Sequence, residues 1–253
     1  MNFKRMGVIN VTPNSFSDGG EVTPENFIER LKSLGPLDAI DMGAESTAPM
    51  NSSIPWEEEW QRLSPYMPLL KHLPCHLSFD TYHPETIEEI LRFSQDHQWN
   101  KKLIWNDVSG KFDGSVRDFL SCSTEFSYVF CHNLAPTRAF TGKHMDYVDP
   151  ELSLEKLSDY FGPFAGPQII FDPCFGFSKS FEQNWEILNR FQELQQMTKH
   201  DHWLLGLSRK SFLRKKYGLS LADKDQLDQI HDDLVKNINL QGSVWLRSHQ
   251  FKS

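Results

Sequence analysis

Eight short apolar runs recur along this chain, each closed by a polar residue, and helical patterns separate them. The runs are Met6–Ile9, Ala39–Ile40, Cys75–Phe79, Leu103–Trp105, Tyr128–Cys131, Gln168–Phe171, Trp203–Leu207 and Ser243–Leu246. They are too short for buried helices and read as strands buried on both faces. Between them, apolar residues return at helical spacing. Thr23-Pro24-Glu25 opens one such stretch, with Phe27, Ile28, Leu31 and Leu34 as its stripe. Pro55 opens another, with Trp56, Trp60 and Leu63, which Pro65 and Pro68 kink or break. Further helical patterns are His83–Phe93, then Val116 with Phe119 and Leu120, then Leu154 with Leu157 and Phe161. Phe181–Leu194 and the set Leu227, Ile230, Leu234 and Ile238 complete the series.

Strand and helix in strict alternation predict a parallel sheet. A closed (β/α)8 TIM barrel is the expected architecture, and a doubly wound open sheet is the runner-up. The runs end at Asn10, Asp41, Asp80, Asn106, His132, Asp172, Lys210 and Arg247. A barrel brings all eight ends to one mouth, which makes that mouth the expected site. Taken singly, each of these residues reads more readily as a helix cap or a solvated loop position, and the set of eight is what argues for a site. Only Arg247 to Ser253 follow the eighth run, so the expected barrel lacks its final helix.

The 253 residues suit one barrel domain, 1–253. A net charge of −8 argues against a general nucleic-acid role. Cys75, Cys122, Cys131 and Cys174 form no C-x-x-C pair and read as reduced, buried thiols. No stretch is apolar enough to span a membrane, and the N-terminus has no signal-peptide core, so a cytoplasmic protein is expected.

The polar strand ends suggest a chemistry. Asp80, Asn106 and Asp172 would line the mouth as two acids and an amide. Carboxylates accept from ring N–H and exocyclic NH2 groups, and an amide serves either edge, so the set suits a flat heterocycle. Lys210 adds a donor for a carbonyl, and Phe175 and Phe177 offer apolar surface to a ring face. Arg247 and His249, with Ser208-Arg209-Lys210, make a positive pole on an acidic chain. Barrels often bind phosphate between the loops after strands seven and eight. A surface cation pair at Arg247 and His249 is an equal reading of those two residues alone.

The loop N-V-T-P-N-S-F-S-D-G-G (10–20) resembles the first loop of dihydropteroate synthases. Counterparts of D-M-G-A-E-S-T (41–47), S-F-D-T (78–81), N-D-V-S-G (106–110), F-D-P-C-F-G-F (171–177), S-R-K-S (208–211) and R-S-H (247–249) follow in order. The resemblance covers nearly the whole chain. It implies a barrel that joins 4-aminobenzoate to 6-hydroxymethyl-7,8-dihydropterin pyrophosphate and releases pyrophosphate, a step of folate biosynthesis. Carried over by position, Asp80, Asn106, Asp172, Lys210 and Phe177 would hold the pterin. Asn10, Thr47, Arg247 and His249 would hold pyrophosphate, with Asn10 acting partly through Mg2+. Phe16, Asp18, Pro49 and Ser211 would frame the aminobenzoate. Asn10, Lys210, Arg247 and His249 are the residues expected to act in catalysis.

The sequence also departs from the family pattern. Ala48 stands where the family has arginine, Cys174 and Ser178 replace glycines, and Gln250 replaces an acid. Asp232, Asp233, Lys236 and Asn237 make the seventh helix polar, which disfavours the family's usual dimer. Without a final helix, Phe3, Val8, Trp245 and Leu234 are expected on an exposed face. A second copy or a separate protein would cover that face, with Phe251 as a short plug. The alternative function is a pterin-pyrophosphate-binding subunit or regulator of the same family with impaired turnover. A methyl-transferring pterin barrel is disfavoured, since its first loop lacks this pattern.

Overall fold

Eight parallel strands close on themselves in sequence order in the computed structural model, which describes residues 3–12, 22–45 and 53–251. They are β1 (Phe3–Asn10), β2 (Ala39–Gly43), β3 (His76–Asp80), β4 (Leu103–Asp107), β5 (Ser127–Cys131), β6 (Ile169–Asp172), β7 (His202–Leu205) and β8 (Ser243–Ser248). β1 pairs with both β2 and β8, and Met6 lies opposite Ala39 on one side and Arg247 on the other. The closed barrel is therefore the fold, and the open sheet is excluded.

Successive strand residues point to opposite faces, and this period of two decides what the barrel encloses. Met6, Ala39, Ile104, Val129, Ile170, Leu204 and Trp245 form a separate apolar cluster, the inner layer. Their neighbours Ile40, Leu77, Phe79, Leu103, Trp105, Phe130, Phe171 and Leu246 belong to the larger cluster under the helices. Two residues further along, the inward positions are Asp41, Asn106, Asp172 and Arg247. The alternation that fills the barrel with apolar side chains thus delivers a polar layer above them, toward the C-terminal mouth.

The outer helices are α1 (Phe27–Ser33), α2 (Trp56–Leu63), α3 (Met67–Leu70), α4 (Pro84–Asp96), α5 (Gly114–Cys122), α6 (Leu154–Phe161), α7 (Phe181–Asn189), α8 (Phe191–Thr198), α9 (Ser211–Tyr217) and α10 (Lys224–Asn237). A 3-10 turn at Ser64–Tyr66 separates α2 from α3, as Pro65 and Pro68 lead one to expect. None of the described helices is long and apolar enough to cross a membrane.

Several expectations need correction. Asp41 does not end its strand, since β2 continues to Gly43. β7 stops at Leu205, so Lys210 lies beyond it and precedes α9, a helix with no clear apolar stripe in the sequence. The segment expected as one helix over Phe181–Leu194 breaks at Arg190, whose φ/ψ of −110°/23° separates α7 from α8. Ile28 is 40% exposed and leaves the α1 stripe. In α10 the buried residues are Leu227, Asp228, His231 and Val235. The apolar pattern misplaced that face because Asp228 is buried through an ion pair with Arg209.

The face expected to be exposed is largely closed. Val8 and Trp245 are only 2% and 5% exposed. Trp245 belongs to the inner layer, and Val8 shares its parity with Met6, so neither lies on the outer face. Phe3, Leu234 and Phe251 pack half-buried against the core, with Arg5 over the Phe251 ring. All four cysteines are free, and Cys131 and Cys174 are buried as expected. Cys122 is exposed and Cys75 half-buried.

Candidate active site at the C-terminal mouth

Asp41 is the hub of the polar layer. It is fully buried and accepts hydrogen bonds from Ser78 Oγ at 2.5 Å, Asn106 Nδ2 at 3.0 Å and Arg247 Nε at 2.5 Å. A buried carboxylate needs partners of this kind to remain charged. Arg247 also reaches Asp80, with Nη2 2.5 Å from Oδ2. Arg247 is the inward residue two past Trp245, which is why it enters the barrel rather than the solvent.

Burial, with Asp41 and Glu59 nearby, raises Asp80 to about 7, while Arg247 and Lys210 oppose the rise. Burial also raises Asp172, opposed by the Cys174 N–H and by Lys210, Lys179 and Arg247. Burial works against the charge on Arg247, but Asp41 and Asp80 hold its pKa above the ordinary range. The site thus concentrates three acids and several cations, and of these acids Asp80 is the one brought to respond to pH near neutrality.

Asn10 ends β1 half-buried. A Cβ at Gly43 would lie 3.3 Å from Asn10 Oδ1 and 3.5 Å from Asp80 Cβ. Glycine there keeps these two side chains close to the β2 backbone. Lys210 Nζ lies 4.9 Å from the centre of the Phe177 ring, and His144 stacks on that ring at 3.9 Å and 22°. Gly176, at φ 85°, would bring a Cβ to 3.7 Å from Lys210 Cδ.

The loop after β6 holds its two glycine replacements in the left-handed region, Cys174 at φ 56° and Ser178 at φ 47°. Side chains offset this strain. Asp172 Oδ1 accepts the Cys174 N–H at 2.7 Å. Buried Ser178 Oγ donates to the His144 carbonyl at 3.0 Å and accepts from the Leu134 N–H at 3.0 Å.

The expected positive pole is more neutral than its sequence suggests. Arg209 pairs with buried Asp228 at 2.9 Å, which offsets its charge. Burial, then Arg209 and Arg247, push His249 down to about 3, so its imidazole is neutral at ordinary pH. His249 Nδ1 lies 3.1 Å from Ser208 Oγ. Ser211 is exposed at the first position of α9. Phe16, Asp18, Thr47 and Pro49 lie outside the described residues, as does Ala48.

The family model described as pterin binding enzyme matches residues 6–242. The chain belongs to the pterin binding enzyme family. It is 31% identical over 232 residues to a dihydropteroate synthase of Staphylococcus haemolyticus, covering 88% of this chain and 81% of that one. A folic acid synthesis protein of Schizosaccharomyces pombe is 31% identical over 261 residues, and the match spans 98% of this chain but 34% of the yeast protein. Among solved structures, a dihydropteroate synthase of Clostridium difficile determined in the presence of pteroic acid matches with a TM-score of 0.76. Its identity is 28%, and the match covers 98% of this chain and 91% of that one.

Within this pterin-binding enzyme, sequence reasoning found the rim residues and missed their supports. Asp41 was visible as a strand residue, and counting inward from Ala39 by twos would have marked it as a site residue. Asp107 is fully buried, and Tyr128 donates to it at 2.7 Å. Arg138, from the connection after β5, pairs with both Asp107 and Asp113 and so ties the loops after β4 and β5 together. No motif marks Arg138 for that role.

Proposed function

We propose that this protein is a dihydropteroate synthase, condensing 4-aminobenzoate with 6-hydroxymethyl-7,8-dihydropterin pyrophosphate. The carrying observation is the polar layer itself. Asp80, Asn106, Asp172 and Lys210 present acceptors and donors to a flat ring, while Arg247 stands at the same mouth to meet an anion. A pterin offers ring N–H, an amino group and a carbonyl, which match carboxylates, an amide and an ammonium. Pteroic acid, present with the Clostridium difficile relative, unites a pterin and an aminobenzoate in one molecule.

In this reading the methylene C–O bond breaks and its electron pair leaves with pyrophosphate. The arylamine nitrogen forms the new C–N bond and releases a proton. The electron-rich pterin stabilises the methylene cation, and no side-chain nucleophile takes part. Arg247 would stabilise the departing charge, and neutral His249 would donate a hydrogen bond to it. Asp80 and Asp172 would orient the ring. Arg247 must then exchange part of its contact with Asp80 for the phosphate, and the ring donors would replace it on that carboxylate.

The described residues contain no cluster of three His, Cys, Asp or Glu side chains able to hold a metal alone. Asn10 offers one neutral oxygen beside Asp80, which fits Mg2+ that arrives on the pyrophosphate. Asn10 would hold that ion, whose chemistry is to neutralise charge on the leaving group. Four free thiols support a reducing, cytoplasmic setting. A second copy or partner protein over β1 and β8 has lost the support of Val8 and Trp245.

Calorimetric titration with the pterin pyrophosphate tests the reading. Micromolar or tighter binding that needs both Asp172 and Arg247 supports it, and absence of binding by the folded protein rejects it.

A further inference from the structure

Lys179 follows Phe177 by two residues, and its long cationic side chain is buried. Its Nζ lies 2.8 Å from His132 Nδ1. It donates to the carbonyls of Phe177 at 3.0 Å and His132 at 3.2 Å, with that of Cys174 at 3.5 Å. An ammonium has three protons and no acceptor, so these four acceptors saturate it. His132 Nδ1 must accept, which places the imidazole proton on Nε2. Burial, and then Lys179, hold His132 well below its ordinary pKa, so the ring is neutral and fit to accept.

Lysine is almost never buried unless its charge is matched by partners. Here the partners are specific. Two of them, the Cys174 and Phe177 carbonyls, bracket the turn that carries Phe177. The other two belong to His132, just past the end of β5. The ammonium therefore ties a strained turn, with Cys174 at φ 56°, to the barrel wall. The same turn carries Phe177, whose ring meets both His144 and Lys210.

We infer that Lys179, with His132 as its acceptor, is a positioning residue that fixes the Phe177 turn and so shapes the surface on which the pterin ring rests. The inference depends on the pterin reading of the site. Lys179 acts through Phe177, so its loss and the loss of the Phe177 ring should be the same loss.

The test is a double-mutant cycle on the full chain, read as the Kd for 6-hydroxymethylpterin. Lys179→Met and Phe177→Leu should each weaken binding by about tenfold, and the double variant should be little worse than either, since contacting residues couple. Inorganic pyrophosphate binding serves as the reference and should move by less than about threefold. His132→Asn keeps an acceptor oxygen near the Nδ1 position and should bind like wild type, whereas His132→Leu should match Lys179→Met. Unchanged binding in Lys179→Met, or losses that multiply in the double variant, would overturn the inference. If Lys179→Met does not fold, the His132 pair decides: retention by Asn with loss by Leu supports the inference, and equal effects overturn it. Wild-type protein that fails to bind 6-hydroxymethylpterin would reject the pterin reading, and this inference with it.

Discussion

The Arg247 guanidinium lies 2.5 Å from the Asp80 carboxylate, although β1 and β2 stand between their strands. The contact crosses the mouth of the barrel and joins the group proposed for the phosphate to one proposed for the ring. Without ligand, each compensates the other's buried charge. A ligand carrying both an anion and ring donors can replace the pair without leaving either charge unmatched. A ligand with only one of these features cannot.

Arg247→Ala should therefore act twice. Removing one partner strands Asp41 in the interior, and stability should fall by about 3 kcal/mol or more in urea denaturation. Pyrophosphate affinity should fall by more than about tenfold, while free pterin loses less because the guanidinium serves the phosphate end. Equal losses for both ligands would make Arg247 structural.

Asp172→Asn preserves the acceptor for the Cys174 N–H at 2.7 Å but removes the charge. Binding of a pterin analogue should weaken by about 1.5–3 kcal/mol, the range for a hydrogen bond to a charged group. Calorimetry showing unchanged affinity would remove Asp172 from the ring site.

Stability and binding should respond to pH in opposite directions. Asp80 is raised from 3.8 to about 7, chiefly by burial. Between those values the folded protein holds more protons at this group than the unfolded chain does. Its contribution to stability is therefore greatest on the acid side and falls as pH rises through that window. Ring donors need the ionised carboxylate, so pterin affinity should rise over the same range. Asp80→Asn should flatten both profiles relative to wild type. Parallel profiles for the two proteins would show that Asp80 titrates elsewhere.

Ser178 separates strain from hydrogen bonding. Both Ser178→Ala and Ser178→Gly lose the contacts to His144 and Leu134. Only glycine relieves the φ of 47°, a difference of about 1 kcal/mol. Ser178→Gly should be the more stable of the two in urea, and the reverse order would mean that the loop is unstrained.

The barrel was legible because two periods, one of two residues and one of 3.6, alternate cleanly along the chain. Asp80, Asn106 and Asp172 were legible for the same reason, since each ends or nearly ends an apolar run. Asp41 was undervalued because β2 continues past it to Gly43. Arg209 looked like part of an anion site because nothing in S-R-K shows that it turns toward Asp228. Arg209 also sits at a left-handed φ of 58°, which sequence pattern does not encode. Lys179 and His132 lie 47 residues apart, and only closure of β5 against β6 brings them together.

Pyrophosphate release with both substrates present tests the central claim most directly. With the pterin pyrophosphate and Mg2+, the protein should release pyrophosphate only when 4-aminobenzoate is added, in equal amounts with dihydropteroate. Tight binding of the pterin pyrophosphate with no release in the presence of 4-aminobenzoate would contradict it, and would leave a binding protein in place of an enzyme.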